Sequence, residues 1–406
     1  MNQVQQPASL PMASGEPAAS SRAVGDAKPR IRGGISSEAI RAYTMVIALI
    51  LIWLYFHYAT GAVFLTPRNL SNLMLQTSVT GVLSVGMLLV IVAGHIDLSV
   101  GSLIGLAGGI AAVAMTWHGW GPWAAIIAAL AVGTGIGALQ GSLAAYANIP
   151  SFIVTLGGLL AWRGALKGIS AGNTIPVSPQ SFKTLGQGYI APNVGLGLAG
   201  IAIAAMIWVF LRRNRARRLH GLASYGTIGT VSRIAVPSIL ILAFVLVMNS
   251  YHGIPIPAIL LVAVALAGAF LARNTTFGRY LYAIGGNPDA ARLSGINLRG
   301  HVMAVFAVMG SLAGVAAIIN TARIGSASPE AGVLKELDAI AACVIGGASL
   351  MGGRGTVFGA CLGALIMASL DNGMSLLNVR DYMQDIIKGS ILVAAVGLDM
   401  VGRRRG

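Results

Sequence analysis

Residues 273–301 read RNTTFGRYLYAIGGNPDAARLSGINLRGH. The stretch is polar and punctuated by glycine, in a chain that is otherwise mostly apolar. Its centre is a short helical core, Asp289, Ala290, Ala291, Arg292 and Leu293, between Gly285-Gly286-Asn287-Pro288 and Ser294-Gly295. Asn287 suits an N-cap, and Pro288 suits the first turn, where its missing N–H would be unpaired in any case. Gly295 suits the end, where a left-handed residue is commonly needed. The spacing predicts a capped helix of about two turns. An ordered helix held between two apolar runs acts as a docking element more naturally than as a connector.

The surrounding composition sets the class. Of 406 residues, 56% are hydrophobic, 10% are charged and 54 are glycine. Soluble domains carry about 25% charge, so the chain reads as an all-α polytopic membrane protein. A helix crossing a ~30 Å hydrocarbon layer needs roughly 20 apolar residues. A membrane β-barrel would instead alternate in segments of about ten. Cys343 and Cys361 lie in Gly- and Ala-rich sequence without metal or redox spacing and read as small buried thiols. The net charge of +15 is distributed as Arg clusters beside apolar runs, which is a topology signal and not a nucleic-acid footprint.

In chain order, residues 1–34 are rich in Pro, Ala, Ser, Gln and Gly and read as a disordered cytoplasmic tail. Residues 35–402 form one transmembrane domain. Without a signal-peptide pattern, the first span, 43–60, is retained, and Arg30, Arg32 and Arg41 before it place the N-terminus inside. Spans follow at 73–93, 99–116, 123–147 and 151–170, then a neutral loop at 171–193 and a span at 194–211. Residues 212–218 hold five Arg and open a basic cytoplasmic loop, 212–233, suited to anionic lipid. Further spans fall at 234–248, 256–272 and 302–320. The loop 273–301 counts to the same side as 212–233, and its four Arg agree. Residues 339–371 are apolar but broken by Gly346-Gly347 and Gly352-Gly353-Arg354-Gly355; they read as two short helices entering and returning on the outer side. A last span, 386–401, ends inside at Arg403-Arg404-Arg405. The expected total is about ten spans plus this re-entrant hairpin, with twelve left open.

Loops counted outside hold Arg68, Lys183, Arg323, Lys335 and Arg380 against Glu330, Glu336, Asp338, Asp371, Asp381 and Asp385. That face offers an acidic rim on which a soluble protein could dock. There is also an internal echo. Gly101, Gly105 and Gly109 repeat at four-residue spacing, as do Gly355, Gly359 and Gly363, each set preceded by Val-Ile. Close helix packing explains such spacing; duplicated halves explain it equally. Asp97 is the only acid within the first six spans. It reads either as the cap of the helix beginning near Ser99 or as a functional intramembrane carboxylate.

No zinc-protease motif, phosphate loop, nucleophile elbow or paired carboxylates support enzyme chemistry. Few charges fall mid-span, so an ion-coupled transporter is poorly supported. What remains is a translocator driven from outside itself through an exposed cytoplasmic helix, with a stand-alone facilitator or channel as the alternative.

Residues 285–296, GGNPDAARLSGI, resemble the coupling-helix sequence of bacterial monosaccharide ABC permeases, the ribose, xylose and arabinose group. Residues 96–102 (IDLSVGS), 150–157 (PSFIVTLG), 336–347 (ELDAIAACVIGG) and 367–375 (MASLDNGMS) continue the resemblance, which covers about 40–401. Within the group, 367–375 and the basic insert look most like the xylose branch. Asp289 departs from the Glu often found there, though both are anions near a helix N-terminus, and Pro288 is unusual. The resemblance implies an inner-membrane protein with both termini cytoplasmic, acting as a homodimer. Its partners would be a cytoplasmic sugar ATPase gripping residues 285–295 and a periplasmic sugar-binding protein docking near Glu330 and Glu336. ATP would be used by the partner, with no cofactor bound directly. Asp97, Asn173, Thr174, Asn320, Asn372 and Ser375 are candidates for matching sugar hydroxyls or gating a mostly neutral path.

Overall fold

The computed structural model describes residues 37–220 and 227–404. The tail expected to be disordered, 1–34, lies outside the described residues. From the N-terminus come α1 (Ser37–Ala59), α2 (Pro67–Val92), α3 (Val100–Thr116), α4 (Pro122–Ala145) and α5 (Ser151–Ile169). Next are β1 (Ile175–Pro176), α6 (Gln180–Gln187), β2 (Tyr189–Ile190), α7 (Pro192–Leu219) and α8 (Thr227–Asn249). β3 (Ile254–Pro255), α9 (Ile256–Asn274), α10 (Thr276–Gly286), α11 (Pro288–Leu293) and α12 (Leu298–Ile324) follow. The chain closes with β4 (Ser326–Ala327), α13 (Lys335–Ile345), α14 (Val357–Leu376) and α15 (Asp381–Arg404). Eight helices among the described residues are long and apolar enough to cross a membrane: α2, α4, α5, α7, α8, α9, α12 and α14. Shorter apolar helices run over Tyr43–Ala59 and Val100–Thr116.

α2 is the axis of the bundle. Pro67 opens it and the Thr66 hydroxyl accepts from Asn69 N, so the helix starts six residues before the apolar run suggested, with Arg68 in its first turn. Nearly all of its apolar length is buried, and α9, α12, α13 and α14 pack around it. Its burial is the chief source of hydrophobic stabilisation, at about 25 cal/mol per Å² of apolar surface covered. α7 and α8 expose most of their surface and form the periphery.

The most extensive helix contact is one the echo did not reveal. On α4, Gly133, Gly137 and Gly141 recur every four residues against Phe306 and Gly310 of α12. A Cβ at Gly137 would meet the Phe306 carbonyl oxygen, and one at Gly310 would meet that of Gly133. The two backbones touch, as small residues permit where lipid gives no hydrophobic drive.

Three expectations need correction. The segment 171–193 is not a plain loop: α6 buries Phe182, and two-residue antiparallel ladders join β1 to β4 and β2 to β3. Arg212–Arg217 extend α7, with Arg212 stacked over Trp208 at 5.3 Å, because Arg is a good helix former. The hairpin near 339–371 is not two short helices. α13 has 11 residues, but α14 has 20 and is a full candidate span. Gly359 and Gly363 do not break α14; they let it lie against the carbonyl oxygens of Gly346 and Ala342 on the α13 side.

Candidate functional site

The expected docking helix forms with the expected caps. Thr275 ends α9 in an extended conformation and its hydroxyl accepts from Gly278 N, which starts α10. Asn287, also extended, ends α10, and its Oδ1 accepts from Ala290 N at 3.0 Å. Pro288 takes the first position of α11, Ser294 N closes back on Ala290 O, and Gly295 turns at φ 80°. Only Ala291 of α11 is buried, and it anchors the helix. Leu293 is 85% exposed, an apolar side chain presented to nothing in this chain. Asp289 and Arg292 pair at 3.7 Å but are both exposed, so the pair adds little stability.

Behind α11 lies a cavity of about 750 Å³ between it and the ends of α2 and α4. His95, Asn148, Arg292, Ile296, Arg299 and Met351 are among its walls. The helix is therefore held mainly through α10. There Gly285 touches two segments at once: a Cβ would meet the Val92 carbonyl oxygen and lie 2.8 Å from Gly353 N. Gly353 N itself donates to Val92 O at 2.9 Å, and Tyr282 Oη donates to Gly355 O at 2.9 Å. The two breaks of the echo, 93–99 and 346–356, thus meet each other and the end of α10 at one point. Any displacement of α10 and α11 reaches both.

The echo glycines divide by role. Gly101 and Gly105 bring α3 against the backbone of 331–332, and Gly109 faces Leu166 of α5. Gly359 and Gly363 pack α14 as described. Gly355, at φ 155°, is not helical; it belongs to the break and abuts Leu88.

Asp97 is 1% exposed and accepts from Ser99 N at 2.8 Å and from the Ser99 hydroxyl at 2.7 Å. Asp97 thus closes a turn onto Ser99, the residue before α3, and the first turn of α3 itself has no side-chain cap. Ser99 also contacts Gln140 of α4, so three elements converge here. The other pathway candidates do not gather. Asn372 accepts from Asn69 at 2.8 Å and ties α14 to α2. Asn320 is buried in α12, Asn173 and Thr174 are exposed in the turn after α5, and Ser375 is exposed near the end of α14.

The acidic rim is smaller than expected. Glu330 is exposed, with Lys167 at 3.4 Å. Glu336 is only 4% exposed and cannot serve as a surface contact. After Gly332 (φ 79°) and Leu334 (φ 62°) the chain turns inward, and the Glu336 carboxylate abuts Gly101. Asp338 and Asp371 are also withdrawn from solvent. They form a four-charge cluster with Lys335 and Lys388, with pairs at 2.7 Å (Lys335–Asp338), 3.6 Å (Lys388–Asp338) and 2.7 Å (Lys388–Asp371). Sequence reading missed it because Lys388 sits on α15, far along the chain from Asp338.

Comparison with known proteins places the chain among sugar permeases by sequence. The xylose transport system permease protein XylH of Escherichia coli (strain K12) is 46% identical over 372 residues, covering 92% of this chain and 95% of that one. The protein of the same description from Haemophilus influenzae is 45% identical over 371 residues, 91% of this chain and 99% of its own length. The ribose import permease protein RbsC of E. coli (strain K12) is 36% identical over 336 residues, 83% and 87% of the two chains. No solved structure gives a significant match. A family model matches residues 69–217 and 217–396, most of the membrane domain, and the chain belongs to the family it describes: branched-chain amino acid transport system / permease component.

Proposed function

We propose that this chain is the transmembrane permease subunit of an ATP-driven importer that carries a monosaccharide, D-xylose, from periplasm to cytoplasm across the bacterial inner membrane. The observation that carries the mechanism is α11. It is a capped helix with an exposed Leu293, anchored by Ala291 and joined through Gly285 to both breaks in the bundle. A partner ATPase gripping α11 would pull on the Val92–Gly353 contact as it closes, and two copies of the chain would rock between inward- and outward-open states. The N- and C-termini lie on the α11 side, as the charge pattern supports. A periplasmic sugar-binding protein would dock on the opposite face, where Glu330 is available. ATP is hydrolysed by the partner; the permease supplies the path and the coupling. The choice of xylose follows the relatives, with 46% and 45% identity to xylose permeases against 36% to a ribose permease.

Reconstitution in liposomes tests the proposal. Labelled xylose should enter only when ATPase, binding protein and ATP accompany the permease. Uptake by the permease alone would establish the facilitator reading instead, and preferential uptake of ribose would displace xylose.

A further inference from the structure

The cavity of about 750 Å³ behind α11 has a charge pattern that the coupling role does not use. Pro288 and Arg292, one helical turn apart, form the face of α11 that lines it. Asp289, Ala290 and Leu293 are not on its wall, so the surface offered to an ATPase is a different one. The other walls include Arg299 from the first turn of α12, Asn148 after α4, His95 from the first break and Met351 from the second.

No Asp or Glu lines this space, whereas two Arg do. Arg299 makes no ion pair among the described residues. Arg292 has Asp289 at 3.7 Å, but both side chains are largely exposed and the pair is weak. The positive-inside rule accounts for Arg on this side of the membrane. It does not account for a walled cavity that collects two of them without a carboxylate. The volume is that of a small-molecule site, which commonly runs from about 300 to 1,000 Å³. Guanidinium forks match the oxygens of phosphate. A phosphate monoester is close to a dianion at pH 7, so it answers two cations better than a single carboxylate does.

We propose that this cavity is an anion site, which takes a small phosphate-bearing group against Arg292 and Arg299 and holds α11 to the bundle. Two sources carry that group: a soluble sugar phosphate, and the headgroup of an anionic lipid. The walls belong to α11, α12, the end of α4 and both breaks, the segments through which displacement of α11 would travel. An occupant touching all of them favours one arrangement and slows the exchange with the other. The site stands on the cavity and its charges; its effect on transport rests on the coupling reading.

The first test uses the full-length permease in uncharged detergent, titrated with D-ribose 5-phosphate and with D-ribose. The phosphate should bind at least about tenfold more tightly than the neutral sugar, the worth of one charge-assisted hydrogen bond. Arg292→Gln and Arg299→Gln should each weaken it about tenfold. Both side chains are exposed, so the variants should fold as wild type does. Arg279→Gln, an exposed Arg of α10 off the wall, should stay within about twofold of wild type. A parallel arm measures phosphatidylglycerol retained by wild type and variants in native mass spectrometry. D-ribose 5-phosphate binding that both wall variants lose assigns the soluble source; phosphatidylglycerol retention that both lose assigns the headgroup. If neither probe responds to Arg292 and Arg299, or if Arg279→Gln loses as much, the proposal is overturned. In the reconstituted transporter, the probe that binds should slow sugar uptake at least about threefold in wild type and less in Arg299→Gln. An unchanged rate keeps the site and overturns its hold on α11. Failure of wild type to move sugar removes the coupling reading and leaves the binding result standing.

Discussion

Gly285→Ala against Gly286→Ala separates contact from composition at the junction that links α11 to the bundle. The two glycines are adjacent at the end of α10, and neither needs positive φ. A methyl group at 286 meets nothing within 4 Å, whereas one at 285 meets the Val92 carbonyl oxygen and lies 2.8 Å from Gly353 N. Contact of heavy atoms needs roughly 3.5 Å, so the two breaks must separate by more than half an ångström. Overpacking of this kind costs about 1–3 kcal/mol. Loss of the 2.9 Å Gly353–Val92 hydrogen bond adds about 1 kcal/mol. Alanine returns about 1 kcal/mol in helix propensity at either position. The net expectation is a loss of about 1–3 kcal/mol for Gly285→Ala and none for Gly286→Ala. In a chain of this size that lowers Tm by roughly 1–4 °C, read by thermal unfolding of the purified permease in detergent. In the reconstituted transporter, sugar moved per ATP should fall about tenfold, equivalent to ~1.4 kcal/mol of lost coupling. Equal Tm and equal transport for the two variants would refute the claim that the breaks and the coupling helix meet through Gly285.

Three further outcomes follow from the same geometry. Leu293→Asp places a charge on the most exposed apolar residue of α11 and should abolish ATPase binding in a pull-down while leaving Tm within about 1 °C, since exposed substitutions rarely exceed ±0.5 kcal/mol. Glu330→Lys should weaken binding-protein affinity several-fold in a salt-dependent manner, checked by titration at two ionic strengths. Lys388→Met removes one cation from the four-charge cluster and should cost about 2–3 kcal/mol by thermal unfolding, somewhat below a fully buried pair because Lys388 and Asp371 are 18% and 21% exposed. Adding Asp371→Met to that variant should recover most of the loss; a double variant no better than the single one would show that the cluster is not held by charge balance.

The residues that were legible share a property: their chemistry is local. Asn287, Pro288 and Gly295 are local signals for the ends of α11, so the predicted helix and the observed one, Pro288–Leu293, agree to within a residue at each end. Apolar runs of span length are likewise a property of contiguous sequence, and they determined the class, most of the helices and the separation of 273–301 as a polar insert. Loop assignment by charge succeeded for Glu330 and failed for Glu336, Asp338 and Asp371. A count of crossings treats every charge between apolar runs as solvated. It cannot register a chain that turns inward after Gly332 and Leu334.

What the tertiary structure alone decided depends on partners distant in sequence. Gly133, Gly137 and Gly141 are ordinary helix residues until Phe306 and Gly310 arrive against them. Gly359 and Gly363 have the spacing of packing residues, but only the fold shows that their partner is the backbone of α13. Asp338 needs Lys388, and the burial of Glu336 depends on its meeting Gly101. The sequence by itself determined a polytopic membrane protein with a capped polar helix between two spans, because hydrophobicity, capping and turn chemistry act over a few residues. Which buried polar groups meet was decided by packing, because that energy exists only between segments the fold brings together.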